Sequence, residues 1–552
     1  AEGALLLFMF SLAHALEQYA LGRARQAISA LAELAPSRAT VVSDANGTRI
    51  LRDVAIEAVR PQDLVLIKPS ERIPVDGTVM EGRSGVNQAP ITGESIPVDK
   101  RRGDKVFAGS VNGDGALVVE TTAAVGDRTL DRVITLVAEA QTQKAPTQQF
   151  TERFERVFVP LVLVADLLII VLPPLAGIWT WSEAFYRGMA MLVAASPCAL
   201  ALGTPATVLA GIAQAARKGV LIKGGAHLEA LGATVVLAVD NTGTLTMGEP
   251  VITDVVPASG TDENELLRVA AAAERQSQHP LARAITAAAA ARTLRIPNAG
   301  ELESVTGRGI STTIDGERVR IGRLLMFDES PDPDDRAPES VRDAVARLEL
   351  AGRTTMVVHR GNTWLGVVGI ADEPRPGARA TLDALRRLGI KRIVMLTGDN
   401  AGVGKAIGNR VGIDDVRAGL LPEDKVAAIK ELLAEGPVAM IGDGVNDAPA
   451  LAHATVGIAM GGAGTAAALE TADVALMGDD LARLPFAIGL SRQARRVIKQ
   501  NVFIALGVIA VLVLITASGV AGIGVAVIFH EGSTLVVIAN ALRLLRYSGA
   551  AT

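Results

Sequence analysis

Three apolar runs in this sequence end in aspartate beside glycine and threonine: VVLAVDNTGTLT from residue 235, RIVMLTGDN from 392 and VAMIGDGVNDAPAL from 438. Each run has the residue types of a buried strand, and each polar tail those of a loop that holds anions through backbone N–H groups. One such loop alone is a helix cap. Three in one chain point to a shared site, because ligands of open α/β sheets bind at the carboxyl ends of the strands. Asp240, Asp399, Asp443 and Asp447 are therefore expected to converge. A carboxylate there can attack the terminal phosphoryl of ATP and form an acyl phosphate, dividing a difficult hydrolysis into two steps, and Asp240 is the candidate nucleophile. The transferring group is anionic and needs a metal ion, N–H donors and a fixed cation around it. Asp443 and Asp447, with Asp240 and Thr242, suit magnesium; Thr242, Thr397 and Gly398 suit the phosphate oxygens; Lys425, in LPEDK, suits the cation. Asn241, beside the nucleophile, donates hydrogen bonds but carries no charge.

A second set of donors lies in apolar surroundings. AASPCAL places Pro197 inside an apolar helix, where it frees backbone carbonyls, with Ser196 and Cys198 at the break. FHEGSTL places His530, Glu531 and Thr534 in another apolar run, and ionisable groups inside a span are functional candidates. Glu531 taken alone also fits an interfacial position. One thiolate, one imidazole and one carboxylate with hydroxyl help suit cobalt(II) or zinc(II) better than copper(I). His14 and Glu17, one helical turn apart, read first as a packed or cytoplasm-facing pair and second as part of an entry path.

These groups must be positioned by elements of two kinds. With 552 residues, 49% of them hydrophobic, and a mean hydropathy of +0.34, the chain is too long for one core and too apolar for a soluble protein. Apolar runs at 3–21, 157–179, 189–213, 503–518 and 520–542 each approach the roughly 20 residues that span a bilayer. Basic residues cluster at Arg23 and Arg25, Arg153 and Arg156, Arg217, Lys218 and Lys223, Arg495, Arg496 and Lys499, and Arg543 and Arg546. Those ends are cytoplasmic by the positive-inside rule, which places the two polar blocks, 35–150 and 219–490, in the cytoplasm. Five spans then put residue 1 outside, and the chain reads as a fragment lacking at least one upstream span. The first polar block alternates like β-strands and carries ITGESIPVDK; the second alternates strands and helices, as a parallel doubly wound sheet does. A net charge of −5 and 3% aromatics leave no nucleic-acid footprint, and a single cysteine excludes an internal disulfide.

The order Thr-Gly-Glu-Ser, Asp-Asn-Thr-Gly-Thr, Thr-Gly-Asp and Gly-Asp-Gly-Val-Asn-Asp resembles the P-type ATPases along the whole chain, with Asn241 where that family has lysine. Ser-Pro-Cys with His-Glu-Gly-Ser-Thr resembles the cobalt/zinc branch of the heavy-metal pumps. The resemblance implies an α/β multidomain membrane protein: a helical transmembrane bundle, a β-rich actuator domain, a doubly wound haloacid-dehalogenase-like phosphorylation domain and an inserted α+β nucleotide-binding domain. The expected boundaries are 1–34 for a first membrane helix and its extension, 35–150 for the actuator, and 151–218 for two membrane helices. The phosphorylation domain comes next at 219–249 and 372–490, the nucleotide-binding domain at 250–371, and two further helices with a tail at 491–552. The resemblance implies that Glu94, with Thr92, positions the water that hydrolyses the aspartyl phosphate. It also implies that Glu274, His279, Gly307 and Gly309 line the adenine pocket, with Gly322-Arg323 departing from the branch's Gly-Asn.

The activity implied by this resemblance is ATP-driven export of cobalt or zinc, with cadmium or nickel as further choices, using ATP and magnesium. The setting is a bacterial inner (plasma) membrane, with the catalytic domains in the cytoplasm. The expected partners are the lipid bilayer and the metal ion, without nucleic acid or an obligatory protein partner. Two other classes compete. A membrane-anchored phosphatase has no use for Cys198 and His530 at membrane depth. A non-catalytic metal receptor accounts for Asn241 but has no use for Glu94, Asp240, Asp443 and Lys425; a pump crippled in phosphorylation, because asparagine stands where the family has lysine after Asp240, is the alternative that stays open.

Overall fold

The computed structural model describes residues 36–45, 48–88, 98–126, 128, 131, 144–277, 279–305, 308–328, 336–399, 401–443, 447–461, 471–478 and 480–549, with five isolated positions between 8 and 22. Thr92, Glu94, Gly307, His14 and Glu17 lie outside the described residues, as does most of the first apolar run. Two compact units emerge: 235–454, and 1–234 together with 455–552.

In the second of these, strands come first: β1 (Arg38–Ala45), β2 (Thr48–Ala55), β3 (Leu64–Ile67), β4 (Gly77–Gly82), β5 (Ser84–Val86), β6 (Val98–Lys100), β7 (Lys105–Val106) and β8 (Leu117–Thr121). Six of them form an antiparallel sheet in the order β2-β1-β3-β8-β4-β7, and β5 pairs with β6. Val65 and Ile67 of β3 are buried while Leu64 and Leu66 are half-buried. That alternation belongs to a sheet with one face on a core, here with Ile73, Val79, Leu117 and Val119. Thr92 and Glu94 belong to the segment joining β5 to β6.

Three helices come next: α1 (Pro146–Leu175), α2 (Trp181–Ala194) and α3 (Cys198–Arg217). The 30 residues of α1 are about 45 Å of helix. Leu161, Leu163, Val164, Leu167 and Leu168 on α1 are exposed, as side chains facing lipid are. The sequence places Pro197 inside a helix, whereas the structure ends α2 at Ala194 and starts α3 at Cys198. Proline has no N–H and clashes with the carbonyl four residues earlier. The new helix starts instead on the Pro197 carbonyl, which accepts from Leu200 and Ala201 N–H. A short strand, β9 (Val220–Ile222), succeeds it.

The other unit opens with β10 (Val236–Asp240), all five residues buried, as expected of a strand covered on both faces. The insert comes after it: β11 (Val251–Pro257), α4 (Glu263–Glu274), α5 (Pro280–Ala291), β12 (Glu303–Val305), β13 (Gly309–Ile314), β14 (Glu317–Gly322), α6 (Glu339–Leu350), β15 (Thr354–Arg360) and β16 (Thr363–Ala371). Its six strands form an antiparallel sheet, β11-β16-β15-β14-β13-β12. Leu266 and Ile285 from α4 and α5 share a core with Ile310, Ile321 and Val358, while Val345 and Leu348 of α6 pack with Val357 and Val367. The chain then resumes with α7 (Ala378–Arg387), β17 (Arg392–Leu396), α8 (Ala401–Val411), β18 (Asp415–Arg417), α9 (Pro422–Leu432), β19 (Val438–Gly442) and α10 (Ala448–His453). β10 runs parallel between β17 and β19, and β18 lies parallel outside β17.

Returning to the first unit, β20 (Val456–Gly461) pairs parallel with β21 (Val474–Met477), which pairs antiparallel with β9. The long helices α11 (Leu484–Ala517) and α12 (Ile523–Leu542) close the chain. With α1 and the α2–α3 pair, the described residues contain four helical segments long and apolar enough to cross a membrane. A polar ladder joins three helices: Asn540 Nδ2 donates to Asn501 Oδ1 at 2.8 Å and Asn501 Nδ2 to Thr207 Oγ1 at 3.2 Å. Such side-chain bonds hold apolar helices together where lipid offers no polar alternative.

Candidate functional site

Asp240 is the last residue of β10 and 5% exposed. Helix α9 brings its partner. Leu421-Pro422 opens that helix, with Leu421 N–H donating to Asp424 Oδ2 at 3.0 Å, and Lys425, Ala428, Ile429 and Leu432 form its buried face. Lys425 thus ends an apolar stripe at spacings of three and four. Its Nζ donates to Asp240 Oδ1 at 2.6 Å and to Asp447 Oδ1 at 2.7 Å. Burial, then the Asp447 charge, push the Asp240 carboxyl up to about 7 against the pull of Lys425. Burial also raises Asp447. Lys425 stays an ammonium: burial pulls its pKa down, but the two carboxylates more than offset this and raise it.

The loop after Asp240 is held by groups that sequence reading did not single out. Arg375 donates from Nε to Thr244 O at 3.0 Å and from Nη2 to Gly243 O at 2.8 Å. Asp372 accepts from Thr246 Oγ1 at 2.5 Å and Gly248 N–H at 3.1 Å. Both belong to ADEPRPG, just after β16, and a proline-flanked acid and base between strand and helix was the available signal. Across the loop, Asn241 Nδ2 donates to Asp399 Oδ2 at 2.7 Å, where Thr397 Oγ1 also donates at 2.9 Å and Thr242 Oγ1 stands at 3.5 Å. Asn241 is 1% exposed, and among the described residues its Oδ1 has no hydrogen-bond partner.

This geometry gives a first prediction. In Asn241→Lys the ammonium replaces the amide against Asp399 and adds a charge to a water-poor site. Phosphorylation from ATP should speed up about tenfold, roughly 1.4 kcal/mol of barrier, with the order of preferred metals unchanged. Rapid-quench labelling checks the first part and metal-stimulated hydrolysis the second; a changed metal order would break the separation of phosphate and membrane sites.

No group of three or more His, Cys, Asp or Glu side chains among the described residues is arranged to hold a metal ion; at this site Lys425 Nζ bridges Asp240 and Asp447. Magnesium needs only one or two carboxylates and keeps its waters. Burial first, then the Asp447 and Asp443 carboxylates, push the Asp240 carboxyl up, in a pocket of hard oxygen donors around the one Lys425 ammonium. Asp240, Thr242, Asp443 and Asp447, the residues expected to hold magnesium, would offer it such oxygens, with Asp240 and Asp447 already engaged by Lys425.

In the insert, Glu274 ends α4 and is buried, which pushes its carboxyl up to about 7, against a hydrogen bond from Ser277. His279 caps α5, its Nδ1 accepting from Leu281 N–H at 3.2 Å, with its side chain exposed. Gly309 faces Gly322 across β13 and β14. A cavity of about 460 Å³ has Arg323, Glu349 and Thr354 on its insert wall and Gly398 and Asp399 on the other.

At the helix break, Ser196 Oγ and Cys198 Sγ are 3.1 Å apart, both half-buried. His530, Glu531, Ser533 and Thr534 are buried on α12, where the Ser533 and Thr534 hydroxyls donate to the His530 carbonyl at 2.7 and 3.4 Å. Among the described residues His530 Nε2 has no hydrogen-bond partner. The structure therefore pairs Ser196 with Cys198 and gathers the α12 donors on one helix, without closing a three-ligand cage.

Residues 235–455 match the haloacid dehalogenase-like hydrolase family, and 33–138 the P-type ATPase actuator domain. The chain is 44% identical to a probable cadmium-transporting ATPase of Staphylococcus aureus (strain MRSA252), over 99% of this chain and 75% of that protein. It is 41% identical to a zinc/cadmium/lead-transporting P-type ATPase of Escherichia coli (strain K12), over 99% and 72%. The crystal structure of a zinc-transporting PIB-type ATPase in the E2.Pi state superposes with a TM-score of 0.65 at 40% identity, covering 99% of this chain and 87% of that one.

Proposed function

Because this chain belongs to the heavy-metal P-type ATPases, and so is an ATP-driven metal transporter, we propose that it exports zinc or cadmium across a bacterial plasma membrane. Cobalt, suited to the same donor set, is the alternative cargo. The observation that carries the reading is a half-buried thiol at a helix break together with a buried imidazole and carboxylate on α12, in a chain whose cytoplasmic aspartate faces a fixed lysine.

The chemistry rests on the positions of the groups. An Asp240 oxygen attacks the γ-phosphorus of ATP; the new P–O bond makes the aspartyl phosphate as the bond to the bridging oxygen breaks and ADP leaves. Lys425, 2.6 Å from that carboxylate, neutralises charge gathering on the phosphoryl oxygens. Thr242, Thr397 and Gly398 offer hydroxyl and N–H groups to those oxygens, and Asn241 and Thr397 hold Asp399 in place. Asp240, Thr242, Asp443 and Asp447 would hold magnesium, which would supply further positive charge to the phosphate. Glu94, with Thr92, then orients the water that hydrolyses the aspartyl phosphate. Glu274, His279, Gly307 and Gly309 take the adenine. Ser196, Cys198, His530, Glu531 and Thr534 take the cargo, the thiolate and carboxylate together matching a dication. The receptor or crippled-pump alternative is disfavoured by the relatives, which are transporting ATPases, and by Lys425 in contact with Asp240.

The test is ATP-dependent uptake of zinc, cadmium, cobalt and nickel into proteoliposomes holding the full chain. Cys198→Ala should raise the half-stimulating metal concentration by more than the ~10–100-fold that comes with loss of a mere supporting group. Hydrolysis indifferent to metal and to Cys198 would favour the phosphatase; metal binding without hydrolysis would favour the receptor.

A further inference from the structure

The cytoplasmic ends of α11 and α12 hold a groove that neither the phosphate chemistry nor the metal donors use. Between residues 484 and 552 the basic residues Arg492, Arg495, Arg496, Lys499, Arg543 and Arg546 stand against a single acid, Glu531. Glu531 precedes Arg543 by twelve residues, about 18 Å along a helix, so no carboxylate on either helix meets these cations. By the positive-inside rule these ends face the cytoplasm. The groove, of about 570 Å³, is lined on α11 by Gln500, Phe503 and Ile504 and on α12 by Val536 and Asn540, with Arg543 just past its end.

Residue spacing gives the groove its two characters. Gln500, Phe503 and Ile504 recur at three and four residues, as do Val536, Asn540 and Arg543, so each set lies on one face of its helix. Because α11 enters the membrane from the cytoplasm and α12 returns to it, both faces are polar at the membrane surface and apolar towards the bilayer centre. Phe503 is 80% and Val536 54% exposed, so among the described residues the apolar part lies uncovered. At the polar end Arg543 Nη1 donates to Asn540 Oδ1 at 2.9 Å, and Asn540 Nδ2 to Gln500 Oε1 at 3.3 Å. A guanidinium has five N–H groups, and this contact leaves most of them for a ligand. Lys499 and Arg546, both exposed, add to the positive charge around it.

The chemistry of the lining selects the ligand. An apolar trough that opens onto cations at the membrane surface matches a molecule with an acyl chain and an anionic phosphate. A soluble phosphate has no use for Phe503 and Val536, and a zwitterionic lipid brings its own cation to a place already rich in them. We propose that this groove binds an acidic phospholipid of the cytoplasmic leaflet. Arg543 holds the phosphate, which guanidinium N–H groups match in geometry, and an acyl chain lies against Phe503, Ile504 and Val536. The lipid bridges α11 and α12 beside Asn540, where the polar ladder from Asn540 through Asn501 to Thr207 begins. It therefore reinforces the pairing of α11 with the helix that carries His530 and Glu531.

The experiment uses the full chain in bilayers of phosphatidylcholine with a rising fraction of phosphatidylglycerol, one lipid or the other carrying bromine on its acyl chains. Phe503→Trp puts a fluorophore in the groove, and the signal of the three native tryptophans is subtracted with the parent protein. Brominated phosphatidylglycerol should quench the added fluorescence at a mole fraction about fivefold lower than brominated phosphatidylcholine does, the ratio that corresponds to roughly 1 kcal/mol for one basic side chain near the surface. A further Arg543→Gln should remove that preference and Arg543→Lys should keep it. Arg496→Gln, which removes a charge outside the groove, should leave it in place, and inorganic phosphate in excess should not reduce the quenching. Equal quenching by the two lipids overturns the proposal, and so does a loss in Arg496→Gln as large as in Arg543→Gln, which means a diffuse surface charge. Displacement by inorganic phosphate means a soluble anion, and fluorescence that neither lipid quenches means a covering protein segment; each overturns it too. The measurement needs neither ATP nor a transported metal, so its outcome is independent of the cargo reading.

Discussion

Asp240→Asn abolishes the acid-stable, hydroxylamine-sensitive label left by ATP, and with it all metal-stimulated turnover. The amide is nearly isosteric but is not a nucleophile towards phosphorus, so no acyl phosphate forms. The same substitution should not unfold the protein. The Asp240 carboxyl is pushed up to about 7 from an ordinary value of 3.8. A raised carboxyl pKa means that stability present below the unfolded pKa is lost as pH rises through the folded one. The parent therefore forfeits stability between those values, and the asparagine variant, with nothing to ionise there, does not. Its melting temperature should equal or exceed the parent's at about pH 8, with the gap closing towards about pH 5. Labelling that survives in Asp240→Asn removes the nucleophile assignment; a variant that is unlabelled because it is unfolded would betray itself in the melt.

Lys425→Met should cost nearly as much, by a different route. The ammonium contacts Asp240 and Asp447 at 2.6 and 2.7 Å, and both carboxylates are buried. Without it, two like charges face each other in a water-poor pocket, and breaking a buried pair in this way costs about 3–5 kcal/mol. Loss of a preorganised charge in a transition state costs about a hundred- to a thousandfold in rate, so single-turnover phosphorylation should fall by at least that range. The pH dependence has a definite sign. With their cation gone, both carboxyls are raised further, so the destabilisation relative to the parent is greater at about pH 8 than at about pH 6. Equal destabilisation at both values would mean that Lys425 acts by packing alone, and unchanged phosphorylation would remove it from the site.

The places where aspartates meet glycine and threonine were legible along the chain because their causes are local. An all-apolar run such as 236–239 becomes a strand covered on both faces, and the residues after it must turn, so Asp240 lands at a strand end whatever lies elsewhere. The apolar helices and the alternation in β3 arise equally from short-range periodicity. The break at Pro197 was half legible: proline announces a defect, but whether the helix bends or stops depends on what surrounds it, and here it stops.

What only tertiary structure decided are the pairings between residues distant in sequence. Lys425 is 185 residues from Asp240, and Asn241 is 158 from Asp399; propensity and periodicity carry nothing over such separations. The same holds for Arg375 reaching back to Gly243 and Thr244. The fold, not the composition, also gave Asp447 to Lys425 and placed His530 and Glu531 among the buried residues of one helix. The physical reason is the same in each case. A side chain's type states which charges and hydrogen bonds it can offer, while the partner that meets it at 2.6 Å rather than water is chosen by how strands and helices pack once the apolar surface is buried.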